Sequence, residues 1–171
     1  MNILDGKMVS KKIHEEVKQE VSKLDKKPCL LVILVGDDQA SQIYVASKEK
    51  ACKKVGMLSK TICLDKNISQ KALIDIIQKA NDDKNITGIL VQMPLPDHMN
   101  EKAVVDAISP LKDVDGLTSK CLGNLMVGNS TFVPCTPKGI IVLLKAYGVD
   151  LVGKSVSIIN RSNIVGKPLS E

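Results

Sequence analysis

The 171 residues carry a formal net charge of +5, and 44% of them are hydrophobic, which predicts a packed core and argues against general disorder. Two tyrosines, one phenylalanine and no tryptophan are too few aromatic side chains for a surface that stacks single-stranded nucleic acid. Arg161 is the only arginine, so an arginine-rich nucleic-acid patch is also excluded. The basic charge is therefore typical either of a solvated surface or of a site that attracts an anionic small molecule.

The first part of the chain alternates helical and strand patterns. Apolar residues recur at helical spacing over 7–24, and the unbroken apolar run from Cys29 to Val35 is typical of a strand buried on both faces. Further elements are predicted in this order: a helix from about Ser41 to Val55 stopped by Gly56, a strand over Ser59–Leu64, a helix capped by Ser69, a strand from Gly88 to Gln92, and a helix from Asn100 to Ile108.

The second part is less regular. Residues 109–135 predict a loop-rich segment with one short helix. Thr136 and Pro137 are a good N-cap and first-turn pair, and predict a helix that ends at Gly148. Ser155–Ile159 predicts a fourth strand, which a polar turn follows. The alternation predicts an α/β fold with a largely parallel sheet covered by helices.

The five cysteines form no Cys-x-x-Cys pair, and the chain has two histidines, so a structural zinc site is not expected. An odd number of cysteines with apolar neighbours is typical of reduced thiols in a cytosolic protein. Neither a signal peptide nor a membrane span is predicted.

Candidate chemistry begins with Ser41, Tyr44 and Lys48, whose spacing places them on one face of a predicted helix. Gln92 ends a predicted strand, and the carboxyl ends of parallel strands are where α/β folds bind ligands. Each pattern by itself is also compatible with a residue that has no functional role. Lys48 could be a surface lysine over its helix stem, and Gln92 an ordinary residue at the end of a strand.

Two loops add further candidates. Asp113 and Asp115 could bind a cation, orient a heterocycle or form a simple Asx turn. The turn over 160–166 follows a predicted strand and opens a helix, so its amides could hold phosphate. Arg161 and Ser162 there could bind a ribose 2′-phosphate, which favours NADP over NAD. The run from Pro134 to Pro137 is interpreted as a rigid, chiefly structural helix entry.

Together these segments resemble one family, the bifunctional methylenetetrahydrofolate dehydrogenases/methenyltetrahydrofolate cyclohydrolases. The resemblance covers the whole chain and rests on ordered motifs: Leu4-Asp5-Gly6-Lys7, Tyr44-Val45-x-x-Lys48, the strand end from Gly88 to Pro96, Lys112-Asp-Val-Asp-Gly116, Pro134-Cys-Thr-Pro137, and Arg161-Ser-x-Ile-Val-Gly-x-Pro168.

The resemblance implies roles for the candidate residues. The implied catalytic residues are Lys48, Tyr44, which stacks over the folate, and Gln92, which hydrogen-bonds near the lysine. Asp115 and Ser41 complete the implied folate site, with Asp115 gripping the pterin ring. The implied contacts with the nicotinamide cofactor are Asn160, Arg161, Ser162, Ile164, Gly166 and Thr136.

The implied activity is the NADP-dependent oxidation of 5,10-methylenetetrahydrofolate to the methenyl form, followed by hydrolysis to 10-formyltetrahydrofolate. The resemblance implies a folate-binding catalytic domain over 1–118 and the start of a Rossmann-like NAD(P)-binding domain over 119–171. It also implies NADP rather than NAD, no metal, folates that can be polyglutamylated, no nucleic-acid or membrane partner, a cytoplasmic location, and a homodimer at full length.

This sequence departs from the family in three ways. Asn160 stands where the family has glycine, at an expected cost of about 1 kcal/mol if the position is left-handed. Leu117 stands where phenylalanine is common. Family members also continue well past residue 171, so we expect the strand Ser155–Ile159 to be unpaired, residues 160–171 to be mobile, and this chain alone to bind NADP weakly with negligible dehydrogenase activity.

Two other interpretations compete with this one. A short-chain dehydrogenase also uses Tyr-x-x-x-Lys, but its nucleotide-binding glycines precede that motif by a long interval, whereas here one predicted strand precedes Tyr44. The second is a non-catalytic folate- or nucleotide-binding fragment. Lys48, Tyr44, Gln92 and Asp115 together argue against it.

Overall fold

A computed structural model describes residues 3–171 and contains ten helices and strands over that range. In chain order they are α1 (Gly6–Ser22), β1 (Cys29–Val35), α2 (Gln39–Val55), β2 (Leu58–Leu64), α3 (Gln70–Asp82), β3 (Gly88–Val91), α4 (Glu101–Asp106), α5 (Ser119–Met126), α6 (Cys135–Ala146) and α7 (Gly166–Leu169). None of the helices in this range is long and apolar enough to cross a membrane.

The three strands form one parallel sheet in the order β2-β1-β3, with β1 in the centre. The register pairs Ile33 of β1 with Ile62 of β2 and with Val91 of β3. Helices α2 and α3 lie in the crossovers, as parallel neighbours require. The predicted α/β architecture with a parallel sheet is therefore confirmed, and all three strands end at the same edge of the sheet.

Local sequence signals set several helix boundaries. The side chains of Ser69 and Asn100 accept hydrogen bonds from the third backbone N–H after them, at Ala72 and Ala103, as predicted N-caps do. Gly56 ends α2 in a left-handed conformation with φ of 81°, which confirms the predicted stop.

The core is aliphatic and lies on both faces of the sheet. On one face, β1 and β3 pack against α3 and α4; the buried members include Leu31, Ile33, Leu73, Ile77, Ile89 and Val104. On the other face, Val45 of α2 packs against the sheet with Val32, Leu34 and Leu90. This two-sided burial explains why β1 and β3 read as unbroken apolar runs.

The predicted strand over Ser155–Ile159 is wrong. Those residues pair with no strand in the described part of the chain, and Ile159 is fully exposed. An apolar run becomes a strand only when a neighbour satisfies its backbone and covers its side chains, and the described residues place none beside it. The expectation that this segment would be unpaired agrees with the structure.

The predicted N-cap at Thr136 is also wrong. The N-cap lies two residues earlier, at Pro134, so α6 begins at Cys135 and has no side-chain cap. Pro137 is tolerated in the first turn because the first four N–H groups of a helix have no intrahelical partner. The helix packs beside α1. Tyr147 follows α6 directly, and its hydroxyl accepts a hydrogen bond of 2.8 Å from the Asp5 backbone N–H.

Truncating the core should destabilise the chain strongly. Ile77 is fully buried between α3 and the sheet, so Ile77→Ala should lower the free energy of unfolding by about 2–5 kcal/mol. Ile43 has 71% of its surface exposed, so Ile43→Ala should change it by less than about 0.5 kcal/mol. Urea denaturation followed by circular dichroism measures both, and equal losses would contradict this account of the core.

Candidate active site

The carboxyl edge of the sheet carries a lysine and an amide in direct contact. Gln92 follows β3, and its backbone N–H donates to the Ile33 carbonyl at 2.8 Å, so the ladder fixes where its side chain starts. The amide Nε2 donates to the Met93 carbonyl at 2.8 Å. The amide Oε1 accepts a hydrogen bond of 2.7 Å from Lys48 Nζ. With both ends engaged, Gln92 holds the lysine at the end of β3.

Lys48 reaches this edge from α2. The side chain is half-buried, and no carboxylate within the described range forms an ion pair with it. Its hydrogen-bond partner is therefore a neutral oxygen, which accepts from an amine and from an ammonium alike. Gln92 can thus orient Nζ in both protonation states, an arrangement suited to a group that gains and loses a proton.

The other two residues of the predicted helix face lie nearby on α2. Ser41 is buried, and its backbone N–H donates to the N-cap carboxylate of Asp38 at 2.7 Å. Its hydroxyl lies 3.5 Å from the Met93 carbonyl oxygen that Gln92 also contacts. Tyr44, one turn before Lys48, is 63% exposed, so its ring is open to a ligand.

Asp115 approaches the same lysine from a loop. Burial raises the pKa of its carboxyl above the ordinary value of 3.8, and the nearby charge of Lys48 opposes that rise. Gly116, the next residue, has a φ of 67°, and a Cβ there would lie 3.0 Å from the Phe132 carbonyl oxygen. The turn that carries Asp115 is therefore packed tightly against the chain that leads into α6.

Cys135 belongs to this cluster, although the sequence interpretation treated its segment as structural. Its Sγ lies 3.6 Å from Asp115 Oδ1 and 3.7 Å from the Val114 carbonyl oxygen. Cys135 is exposed as a residue, but local desolvation of its thiol and the neighbouring Asp115 charge raise the pKa of Cys135, so the group stays a thiol and can donate to the carboxylate. Nothing in the local sequence pattern predicted this contact, because it joins residues 20 positions apart.

The predicted cofactor turn is closed by its own hydrogen bonds. Asn160 Oδ1 accepts from the backbone N–H groups of Ser162 at 2.9 Å and Gly166 at 3.0 Å. Ser162 Oγ accepts from Val165 N–H at 3.0 Å. The expected left-handed strain at Asn160 is wrong, since no non-glycine residue in 3–171 has a positive φ. Asparagine acts here through its side-chain oxygen instead.

The side chains of this turn differ in where they lie. Arg161 and Ser162 are exposed. Ile164 lines a cleft of about 220 Å³ together with Met93 and Leu117, which places one end of the turn near the Gln92 strand end. Thr136 is exposed in the first turn of α6. Over residues 3–171 no three histidine, cysteine or acidic side chains are grouped to hold a metal.

A parallel α/β sheet with a lysine, an amide and a carboxylate at its carboxyl edge has the layout of an enzyme that acts on a small molecule. Residues 4–115 match the family profile described as tetrahydrofolate dehydrogenase/cyclohydrolase, catalytic domain. Residues 134–171 match the profile of the NAD(P)-binding domain of the same enzymes. The chain belongs to the tetrahydrofolate dehydrogenase/cyclohydrolase family.

Individual relatives agree with this assignment. The bifunctional protein FolD of Campylobacter hominis is 51% identical over 99% of this chain and 61% of its own length. The bifunctional enzyme FolD from Campylobacter jejuni matches with a TM-score of 0.96 and 47% identity, over 99% of this chain and 62% of its own. The Trypanosoma brucei enzyme, complexed with NADP cofactor and inhibitor, has a TM-score of 0.94 and 34% identity, over 99% of this chain and 59% of its own. The chain thus spans about 61% of the length of its curated relatives.

The raised pKa of Asp115 predicts a pH-dependent gain in stability when its charge is removed. A carboxyl with a raised folded-state pKa contributes stability below its unfolded pKa, and that contribution is lost as the pH rises through the folded value. Asp115→Asn should therefore become progressively more stable than the parent chain as the pH rises from about 4 to 8. Thermal denaturation across that range measures the difference.

Asp38 supplies a control of opposite sign. The Ser41 backbone hydrogen bond lowers the pKa of Asp38, so its ionised form stabilises the fold above the unfolded pKa. That contribution is lost as the pH falls through a folded pKa below 3.8, so Asp38→Asn should lose stability relative to the parent chain as the pH rises from about 2 to 5 in the same thermal denaturation experiment. If the stability of both variants, relative to the parent chain, changes in the same direction with rising pH, the assignment of a destabilising charge to Asp115 is wrong.

Proposed function

We propose that this chain supplies the folate-binding and proton-transfer site of an NADP-linked methylenetetrahydrofolate dehydrogenase and methenyltetrahydrofolate cyclohydrolase. The observation that carries the proposal is the 2.7 Å hydrogen bond between Lys48 Nζ and Gln92 Oε1 at the carboxyl edge of the sheet. Membership of the family supports the same activity. The bifunctional FolD proteins of the two Campylobacter species share close to half of their aligned residues with this chain.

Each residue of the site has a proposed part in holding the folate. Asp115 accepts hydrogen bonds from the N–H groups of the pterin ring, for which its ionised form is the stronger acceptor. Tyr44 offers an exposed ring on which the folate stacks. Ser41, buried beneath, supports the Met93 carbonyl and so the end of β3. The substrate then lies across the edge with its one-carbon group at Lys48.

The hydrolytic step follows from the geometry of Lys48. The carbon of the methenyl group is cationic, and water attacks it to form a carbon–oxygen bond while the Lys48 amine takes one proton from the water. The carbon–nitrogen bond to the leaving ring nitrogen then breaks, and Lys48 returns a proton to that nitrogen. The remaining hydroxyl proton passes to solvent as the formyl carbonyl forms. Gln92 orients Nζ throughout without adding charge.

For the dehydrogenase step, Arg161 and Ser162 would hold the cofactor. Both are exposed on their turn, and a guanidinium with a hydroxyl is the donor set that a ribose 2′-phosphate requires. The residues present therefore fit NADP better than NAD, and the Trypanosoma brucei relative complexed with NADP supports this choice. When bound, NADP accepts the hydride that leaves the one-carbon bridge. Asn160, Ile164, Gly166 and Thr136 complete the proposed contact set.

The proposed domain division places folate catalysis in 1–118 and the start of the NAD(P)-binding domain in 119–171. The two family profiles, over 4–115 and 134–171, support it. We further propose a cytoplasmic homodimer for the full-length enzyme, acting on folates that can carry a polyglutamate tail. The net charge of +5 suits that anionic tail as well as NADP.

Replacing Lys48 should separate proton transfer from folate binding. Lys48→Met should lower the rate of methenyltetrahydrofolate hydrolysis by about 10²- to 10⁴-fold, because it removes the group that moves the proton. The affinity for a reduced folate should persist, since Tyr44 and Asp115 remain. Loss of methenyl absorbance measures the rate, and calorimetric titration measures the affinity.

Lys50→Met is the matched control, because Lys50 is exposed on the same helix two residues away. It should leave both measurements unchanged. Near-normal hydrolysis by Lys48→Met would show that another group is the base. Folate binding without hydrolysis in the parent chain would instead favour a binding module over an enzyme.

A further inference from the structure

The turn that presents Asp115 is anchored by a second carboxylate. Asp113 has 1% of its surface exposed, and its Oδ2 accepts a hydrogen bond of 2.8 Å from the Thr118 backbone N–H. Its own carbonyl accepts from Gly116 N–H at 3.2 Å. A buried carboxylate is stable only when hydrogen bonds replace its lost water. Here the partner is backbone at the far end of the turn, so the bond closes residues 113–118 into a loop around Asp115.

Asp113 also ties this loop to the strand that carries the lysine's partner. It forms a parallel bridge with Ile89 of β3, and Ile89 N–H donates to the Lys112 carbonyl at 2.8 Å. Gln92 lies three residues further along the same chain segment. The position of Asp113 beside β3 therefore sets where the turn leaves the sheet, and so where Asp115 stands relative to Gln92 and Lys48.

The far end of the loop is fixed as well. Thr118 is the N-cap of α5, and its hydroxyl accepts from Cys121 N–H at 3.2 Å. Thr118 therefore joins Asp113 through its backbone nitrogen and α5 through its side chain. A short segment held at both ends has little freedom to move the residue in its middle. Such preorganisation matters because a misplacement of 1 Å at an active site can cost about 10²-fold in rate.

We propose that Asp113 is a positioning residue whose buried carboxylate, by holding the 113–118 turn, directs the Asp115 carboxylate toward Lys48. The role of this arrangement in folate binding rests on the proposed function, whereas the hydrogen bonds that hold the turn do not depend on it. Asp113 is too buried to meet a ligand, and the bond to Thr118 N–H is its means of action.

The test measures Asp115 directly and needs no folate. Carboxyl ¹³C NMR of labelled protein follows the chemical shift and titration midpoint of Asp115. Asp113→Ala should move that midpoint toward the ordinary aspartate value for two reasons: a loosened turn lets water reach Asp115, and the nearby negative charge of Asp113, which also raises the pKa of Asp115, is removed. Asp113→Asn removes the same charge but keeps an acceptor oxygen of the same shape, so it isolates the charge effect and should move the midpoint less than Asp113→Ala does.

Asp106→Ala is the matched control. Asp106 also accepts a backbone hydrogen bond at the start of α5, from Ser119 N–H at 2.6 Å, but it lies outside the Asp115 turn. It should leave the Asp115 titration unchanged. A reduced folate, 5-formyltetrahydrofolate, provides the functional readout: its dissociation constant should rise about tenfold in Asp113→Ala and stay near the parent value in Asp113→Asn and Asp106→Ala.

A second pair of variants decides the matter if Asp113→Ala fails to fold. The φ of Thr118 is −61°, which suits proline, so Thr118→Pro removes the N–H that Asp113 accepts. Thr118→Ala removes only the hydroxyl cap and keeps that N–H. The titration midpoint of Asp115 should move much further in Thr118→Pro than in Thr118→Ala.

The proposal would be overturned if the titration midpoint of Asp115 were unchanged in both Asp113→Ala and Thr118→Pro. Equal shifts of that midpoint in Thr118→Pro and Thr118→Ala would also overturn it. If the parent chain binds no folate while Asp115 responds as described, the proposed function fails and the positioning role stands. If the parent binds folate and Asp115 does not respond, the positioning role fails alone.

Discussion

The hydrogen bond between Lys48 and Gln92 depends on the parallel sheet and on the helix that crosses it. Gln92 stands at the end of β3 because β3 pairs with the central strand β1, and Lys48 reaches it because α2 crosses from β1 to β2 over the same sheet. The partner is a neutral amide whose other end is fixed to the Met93 carbonyl. A carboxylate in its place would bind the ammonium form preferentially and hold the proton. The neutral glutamine therefore orients Lys48 without adding a charge beside it.

Opposed electrostatic demands meet at Asp115. Burial disfavours its charge, while Lys48 favours it, and the net result is a raised pKa. The turn that buries Asp115 is held by the hydrogen bond of Asp113 and by tight packing at Gly116. It is joined to α6 by the contact between Asp115 and Cys135. Polar groups that destabilise a fold persist where function needs them. The destabilising burial of charge is confined to one turn, and the aliphatic core on both faces of the sheet offsets it.

Periodicity and capping residues predicted the first six elements within a few residues, because each carries its own signal: an apolar run, a Ser69 cap or a Gly56 stop. The common location of Ser41, Lys48 and Gln92 was also predictable, since helical spacing and strand ends are local facts. The Cys135–Asp115 contact and the Asp113 anchor were not, because they join segments far apart or through backbone atoms. The strand at Ser155–Ile159 failed for a related reason: a local pattern cannot supply the neighbour that a strand needs.

The most direct measurement is a crystal structure of this chain with 5-formyltetrahydrofolate bound. The pterin ring should lie at the carboxyl edge of the sheet, with its N–H groups donating to Asp115 and its face against Tyr44. Lys48 Nζ should still contact Gln92 and lie about 3–4 Å from the one-carbon group. A folate bound on another face of the molecule, or a Lys48 side chain turned away from the one-carbon group, would contradict it.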